Sequence, residues 1–296
     1  MSLRFHASSL SAAPSRLRLY LAACALSLVA ASGTAFAESA QLLSLRPAIA
    51  AAAAVVEAPS PEYTAAHTRW KSTISAFDEA DKARLPAEDG VLFVGSSTVR
   101  MWSSLAQDFS EWPVVINRGF GGSTMNECRL LVRELVLRYK PRHVLVYAGD
   151  NDLAMGRTPM QVMEDFAAFA ATVRSTLPQA RISFISIKPS PSRAQLLPKV
   201  QLANEMVSAY LRTQANVDYI DTYSPMMDAQ GRPRAELFLK DQLHMNAEGY
   251  RLWHDVITAQ LQPGAVSAPP GAPTVPAGVP SPTAAGAASA PMASAR

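Results

Sequence analysis

Two adjacent serines, Ser96 and Ser97, follow the apolar run "VLFVG" at residues 91–95. Serine is a common helix cap, and a cap alone would account for either one. Serine is also a nucleophile once a base takes its proton, usually a neutral imidazole whose second nitrogen is held by an acceptor. A matching pair comes late in the chain, where "DQLHMNAEGY" sets Asp241 and His244 three residues apart, just before the last helical pattern. His143 opens an apolar strand-like run and reads as structural, while His67 and His254 fall within helical patterns. None of those three has an acid three residues before it in a loop.

Acyl transfer also needs donors for a developing oxyanion. "NRGFGGST" carries Gly119, Gly121 and Gly122, and glycine lets a ligand come close to backbone N–H groups. "YAGDNDL" carries Asn151, whose amide can donate, between Asp150 and Asp152, which read as loop-ordering carboxylates. Lys188 and Arg193, in "KPSPSR", border the same region and read as solvated loop charges, the alternative being contact with a polar or anionic substrate. Cys128 continues an apolar helix face as a small core residue, and Trp102 and Trp112 read as packing. The acidic "GDND" also invites a two-metal phosphoesterase, but paired ions need many His, Asp and Asn ligands. Of four histidines beyond the N-terminal segment, one lies in a strand pattern and two in helical ones, so neither a metal nor a cofactor is expected.

Something must bring these separated loops together. Apolar runs suited to buried strands recur at 91–94, 114–116, 143–147, 182–187 and 217–220. Helical patterns separate them: a leading helix over Tyr63 to Lys82, one through Cys128 and Tyr139 with a Thr124/Glu127 capping box, and one from Thr158-Pro159 to Thr176. Two more span Leu196 to Ala215 and Ala247 to Leu261. Strands alternating with helices predict a parallel sheet covered on both faces. Ligands then sit beyond the carboxyl ends of the strands, where strand order reverses. The loops after the first three strands converge if strand one lies between the other two.

The chain ends read differently. Arg4, Arg16 and Arg18 precede "LYLAACALSLVAA", which leads to Ala35-Phe36-Ala37 before Glu38. That is the layout of a secretory signal peptide over residues 1–37; a lipidated Cys24 is the alternative, and the protein is expected to be exported, periplasmic or extracellular. Three of the 27 basic residues lie in the leader and none of the 24 acidic ones, so the mature chain has 24 of each. The basic balance is therefore no argument for a nucleic-acid partner. Residues 38–62 are an alanine-rich linker and 263–296 a Pro/Ala-rich tail, both expected to be disordered and neither apolar enough for a stable membrane span. Between them, 63–262 make one domain.

Across residues 88–262 the chain resembles the SGNH hydrolases, the GDSL-type esterase/lipase family. "GSST", "NRGFGGST", "AGDND" and "DQLH" match its four blocks in order. The resemblance implies a flavodoxin-like three-layer α/β/α fold with a five-stranded parallel sheet. It implies a metal-free serine esterase with catalytic Ser97, Asp241 and His244, and an oxyanion hole from the Ser97 and Gly122 N–H groups and the Asn151 side chain. Ser96 replaces the family's usual aspartate, and Ser123 stands where many members carry an acid. With no long insertion to form a lid, the expected substrates are short-chain carboxylic esters, including O-acetyl groups on carbohydrate. The alternatives are a lipase, lysophospholipase or thioesterase, or a non-catalytic carbohydrate- or envelope-binding protein on the same scaffold. Oligomeric state stays open.

Overall fold

The computed structural model describes residues 59–261. The expected leader and tail, and the linker before residue 59, lie outside the described residues. The first helix, α1 (Pro61–Ala83), begins two residues earlier than its apolar pattern, because the Ser60 hydroxyl accepts from Tyr63 N–H at 3.1 Å and Pro61 stands in its first turn.

Five strands follow: β1 (Val91–Gly95), β2 (Val115–Gly119), β3 (His143–Tyr147), β4 (Arg181–Ile185) and β5 (Val217–Ile220). They form one parallel sheet in the order β2-β1-β3-β4-β5. β1 thus lies between β2 and β3, which meets the condition for the three loops to converge and agrees with the flavodoxin-like fold that the resemblance implied. Gly95 pairs with both Gly119 and Tyr147, so the three strands end level and their following loops leave from one edge.

Side chains alternate across a strand, and β1 divides accordingly. Leu92 and Val94 join a core with Trp70 and Ile74 of α1, together with α7 (Pro159–Thr176) and α8 (Leu197–Leu211). Val91 and Phe93 join a second core with Val99, Trp102, Trp253 and Ile257, the last two on α9 (Ala247–Leu261). Helices therefore cover both faces of the sheet. Short helices α2 (Ser97–Arg100) and α3 (Leu105–Asp108) follow β1, and α6 (Asp150–Ala154) follows β3.

The single helix expected through Cys128 and Tyr139 is two pieces, α4 (Met125–Leu130) and α5 (Val132–Leu135), with a 3₁₀ turn at Leu137–Tyr139. Its apolar face is still buried, Cys128 included. The backbone loosens at Leu131 and Val136, and the segment ends at Lys140, which takes a left-handed conformation before Pro141. A residue before proline is kept out of the helical region. Both capping boxes are present, Thr124 with Glu127 and Thr158 with Gln161. α8 is shorter than its pattern mostly at its end: it stops at Leu211, and the Thr213 and Gln214 N–H groups donate to the Tyr210 and Leu211 carbonyls in tighter turns, while at its start Leu196 belongs to the 3₁₀ segment Pro191–Leu196.

Candidate active site

β1 delivers the serines through a turn that only glycine permits. Gly95 has φ +148°, and a Cβ there would lie 1.8 Å from the Tyr147 carbonyl oxygen. The next N–H, that of Ser96, donates to the same oxygen at 3.0 Å, which locks the turn to β3. Ser96 then occupies the N-cap position of α2, but its side chain makes no capping bond. Its hydroxyl is buried with no hydrogen-bond partner among the described residues. Ser97 is the first residue of α2 and only partly buried. So neither serine side chain is accounted for by capping.

The acid and imidazole come from the loop before α9. Gln242 has a left-handed backbone, Leu239 N–H donates to the His244 carbonyl at 2.8 Å, and Phe238 bridges Met245. The loop is thereby folded back on itself. His244 Nδ1 meets Asp241 Oδ2 at 2.7 Å, while Asp241 Oδ1 accepts from the Leu243 and His244 N–H groups at 3.0 Å each. The hydrogen bond from the imidazole, with these two backbone donors, holds the Asp241 carboxyl down at about 2. An ionised carboxylate only accepts, so in the neutral ring Nδ1 carries the hydrogen and Nε2 is the free acceptor. His244 Nε2 lies 3.0 Å from Ser97 Oγ. From α9, Tyr250 donates to the Thr98 carbonyl at 2.9 Å and ties that helix to α2.

The other two loops leave the same edge of the sheet, after β2 and β3. Gly122 has φ +87°, and no atom stands within 4 Å of where a Cβ would be, so this turn faces open space. Asn151 lies on α6 and donates from Nδ2 to the Ser123 carbonyl at 2.9 Å. Asp152 accepts from Met125 N–H at 2.9 and 3.1 Å, joining the two loops. Burial pushes the Asp152 carboxyl up to about 6 against the pull of its backbone donors and Arg157. Asp152 is thus the loop-ordering group expected of it.

Lys188 and Arg193 depart from expectation. Lys188 is 2% exposed, with Nζ 3.1 Å from Asp150 Oδ2 and 3.2 Å from the Tyr147 hydroxyl. Arg193 contacts Asp150 Oδ2 at 3.3 Å through Nη1 and donates from Nη2 to Asn151 Oδ1 at 3.1 Å. These are not solvated charges. The signal was Lys188 placed directly after the apolar run "ISFISI", at the edge where the sheet ends. Burial would push the Asp150 carboxyl up, but Lys188 and Arg193 outweigh it and hold the carboxyl below its usual range. Burial also lowers the Lys188 ammonium, with Asp150 opposing.

The other assignments hold in the packing. Trp102 is buried and donates to Asp108 at 2.6 Å, and Trp112 stacks on Phe109 with centroids 4.5 Å apart. His143 is buried on β3, 2.7 Å from Ser183 Oγ.

A five-stranded parallel sheet in this order, with a serine, an imidazole and a carboxylate in line over its edge, defines an α/β protein of the SGNH-hydrolase type. The sequence profile of the GDSL-like Lipase/Acylhydrolase family matches residues 88–252, and the chain belongs to that family of carboxylic ester hydrolases. Comparison with curated proteins finds no match. Solved structures share the fold. A GDSL-like lipase from Bacteroides thetaiotaomicron is 23% identical, covering 65% of this chain and 95% of its own, with a TM-score of 0.53. A proposed acylhydrolase from Bacteroides fragilis is also 23% identical, covering 60% and 91%, with a TM-score of 0.53. A proposed platelet activating factor from Streptococcus pneumonia is 18% identical, covering 64% and 92%, with a TM-score of 0.57. Among the described residues, no helix is long and apolar enough to cross a membrane.

Proposed function

We propose that the protein is an exported serine esterase for short-chain carboxylic esters, including O-acetyl groups on carbohydrate. The observation that carries this reading is the line Ser97 Oγ, His244 Nε2 at 3.0 Å and His244 Nδ1 to Asp241 at 2.7 Å, closed between residues 147 positions apart.

In this mechanism Ser97 Oγ attacks the ester carbonyl carbon while His244 Nε2 takes the hydroxyl proton. Asp241 holds the ring in the required tautomer and stabilises the imidazolium. The Ser97 and Gly122 N–H groups and the second Asn151 amide hydrogen face the oxygen that gains charge. The tetrahedral intermediate collapses as the imidazolium returns its proton to the departing alkoxide, leaving an acyl group on Ser97. Water then attacks the acyl carbon, gives its proton to His244, and the carboxylic acid leaves as Ser97 regains its hydrogen.

Two features support the short-chain and export parts. No long insertion between the elements of residues 63–261 could form a lid over the serine, and an open site suits a short acyl group better than a lipid tail. The leader pattern of residues 1–37 supports export.

The test is turnover of nitrophenyl acetate by wild type and Ser97→Ala, together with labelling by a fluorophosphonate. The expected result is labelling at Ser97 and a loss of about 10⁴-fold or more in the variant. Equal rates would remove Ser97 from the mechanism, and a wild type that neither turns over nor labels would favour a binding protein. An acyl-length series should peak at acetyl to butyryl; a peak at long chains would reverse the substrate reading. Mature protein should begin at Glu38, whereas a lipidated N-terminus at Cys24 would replace that site.

A further inference from the structure

We infer that Arg193 is a positioning residue for the oxyanion-hole amide: it holds Asn151 Oδ1 so that Nδ2 faces the reacting oxygen, and buried Asp150 and Lys188 hold Arg193 in turn. The inference extends the esterase reading, which makes Asn151 an oxyanion donor.

Donor and acceptor chemistry carries the argument. Asparagine is nearly symmetric in shape, so its amide orientation is decided by its neighbours. Guanidinium only donates, and Arg193 Nη2 contacts Asn151 at 3.1 Å, so the contacted atom must be the oxygen. The Ser123 carbonyl only accepts, and it lies 2.9 Å from the other end, which must be nitrogen. Two one-way partners thus select one of two orientations. That orientation uses one Nδ2 hydrogen on Ser123 and leaves the second for a ligand.

Arg193 needs a support of its own, because it comes from a 3₁₀ segment 42 residues away from Asn151 in the chain. The support is Asp150, buried and adjacent to Asn151, with Oδ2 3.3 Å from Arg193 Nη1. Lys188 binds the same oxygen from within the protein at 3.1 Å. The Arg193 guanidinium is thus a cation set directly against the Asn151 oxygen. A cation there polarises the amide, which makes Nδ2–H a better donor just when the ester oxygen becomes negative. This charge does not touch substrate; it acts through Asn151.

The experiment is a double-mutant cycle with Arg193→Met and Asn151→Ala, read as kcat and KM on nitrophenyl acetate, with Arg193→Gln as the second variant if Arg193→Met does not fold. Arg193→Met alone should lower kcat about 10- to 100-fold, a part of the 10²–10³ that loss of an oxyanion donor costs, with KM changed less than about twofold. In the Asn151→Ala background the same change should cost less than about twofold, since its route is gone. Additive losses, or a loss confined to KM, would overturn the inference. Side-chain amide NMR gives a readout independent of turnover. The Asn151 NH₂ pair, identified by its absence in Asn151→Ala, should shift and broaden in the folded Arg193 variant; an unmoved pair would also overturn the inference. If the wild type hydrolyses no ester, the proposed function falls, and the amide spectrum alone decides the role of Arg193.

Discussion

Gly95 and Tyr147 meet at the end of the sheet so tightly that a Cβ on Gly95 would lie 1.8 Å from the Tyr147 carbonyl oxygen. The next N–H of the chain binds that same oxygen, so the approach cannot relax without moving Ser96 and Ser97. Position 95 also has φ +148°, which side chains on L-residues rarely adopt. Gly95→Ala should therefore cost about 3 kcal/mol or more by denaturant melting. Whatever folds should have lost most ester turnover, because the serine-bearing turn is displaced. A variant of wild-type stability and rate would show that the close approach does not constrain the site.

His143 sits on β3 with Nε2 2.7 Å from Ser183 Oγ, and Ser183 in turn donates to Asp218 at 3.0 Å. Burial, reinforced by Arg181 and only partly offset by Asp218, lowers the imidazole to about 3. An unfolded histidine titrates near ~6.5, so between those values the unfolded chain binds the extra proton and stability falls as pH drops. From pH 7 to pH 4 the cost is at most about 3 kcal/mol. Asp152, pushed up to about 6, acts in the opposite sense above about pH 4. The difference between wild type and His143→Gln isolates the histidine: stability of the variant should fall less steeply from pH 6.5 to pH 4 in urea melts. Parallel curves would contradict the assignment of His143 as a buried neutral group.

What could be read before any coordinates was whatever repeats at short range. The strand runs, the Thr124–Glu127 and Thr158–Gln161 boxes and the Asp241–His244 spacing all lie within a few residues of themselves; the boxes and the pair appear where their patterns put them, and the strands nearly so, with β2 running on to Gly119 and β4 stopping at Ile185. The convergence of the loops carrying Ser97, Gly122 and Asn151 followed from strand order, since loops after β1, β2 and β3 meet only if β1 is central, whereas the pairing of Ser97 with His244 rested on residue chemistry and on the family resemblance. Arg193 and Lys188 escaped because their partners Asn151 and Asp150 lie 42 and 38 residues away, and a lysine in a Pro/Ser loop looks like any solvated charge. The breaks at Leu131 and Val136 escaped for another reason: a buried apolar face records which residues point inward, not where the backbone changes turn.

A buried ion pair on the far side of β2 offers a contrast between stability and activity. Asp81 Oδ1 contacts Arg118 at 2.5 Å, its other oxygen accepts from the Tyr139 hydroxyl at 2.6 Å, and the Arg118 guanidinium lies over the Phe77 and Tyr139 rings. These contacts pin α1 against the sheet. Asp81→Ala leaves the Arg118 charge buried without its partner, which should cost about 3–5 kcal/mol. Well below the melting point, ester turnover per folded molecule should stay within about twofold of wild type. A large loss of kcat in fully folded protein would mean that α1 reports to the active-site edge.

Asp241 separates an orienting carboxylate from one that must move a proton. Its carboxyl is held down at about 2 by His244 and by two backbone N–H groups, so it stays ionised across the range in which the protein is expected to work. It is also about half exposed, so its pairing with His244 contributes to ring orientation more than to folding stability. Asp241→Asn keeps the shape but presents either an amide hydrogen to Nδ1 or a weaker acceptor. The ring is then free to take the tautomer that cannot accept from Ser97. The expected result is a drop in kcat of about 10³–10⁴-fold with a melting temperature near that of wild type. Because the native carboxyl titrates far below the working range, moving from pH 8 to pH 5 should not reproduce the Asp241→Asn defect through Asp241 itself. A variant with wild-type kcat would leave His244 oriented by something other than this carboxylate.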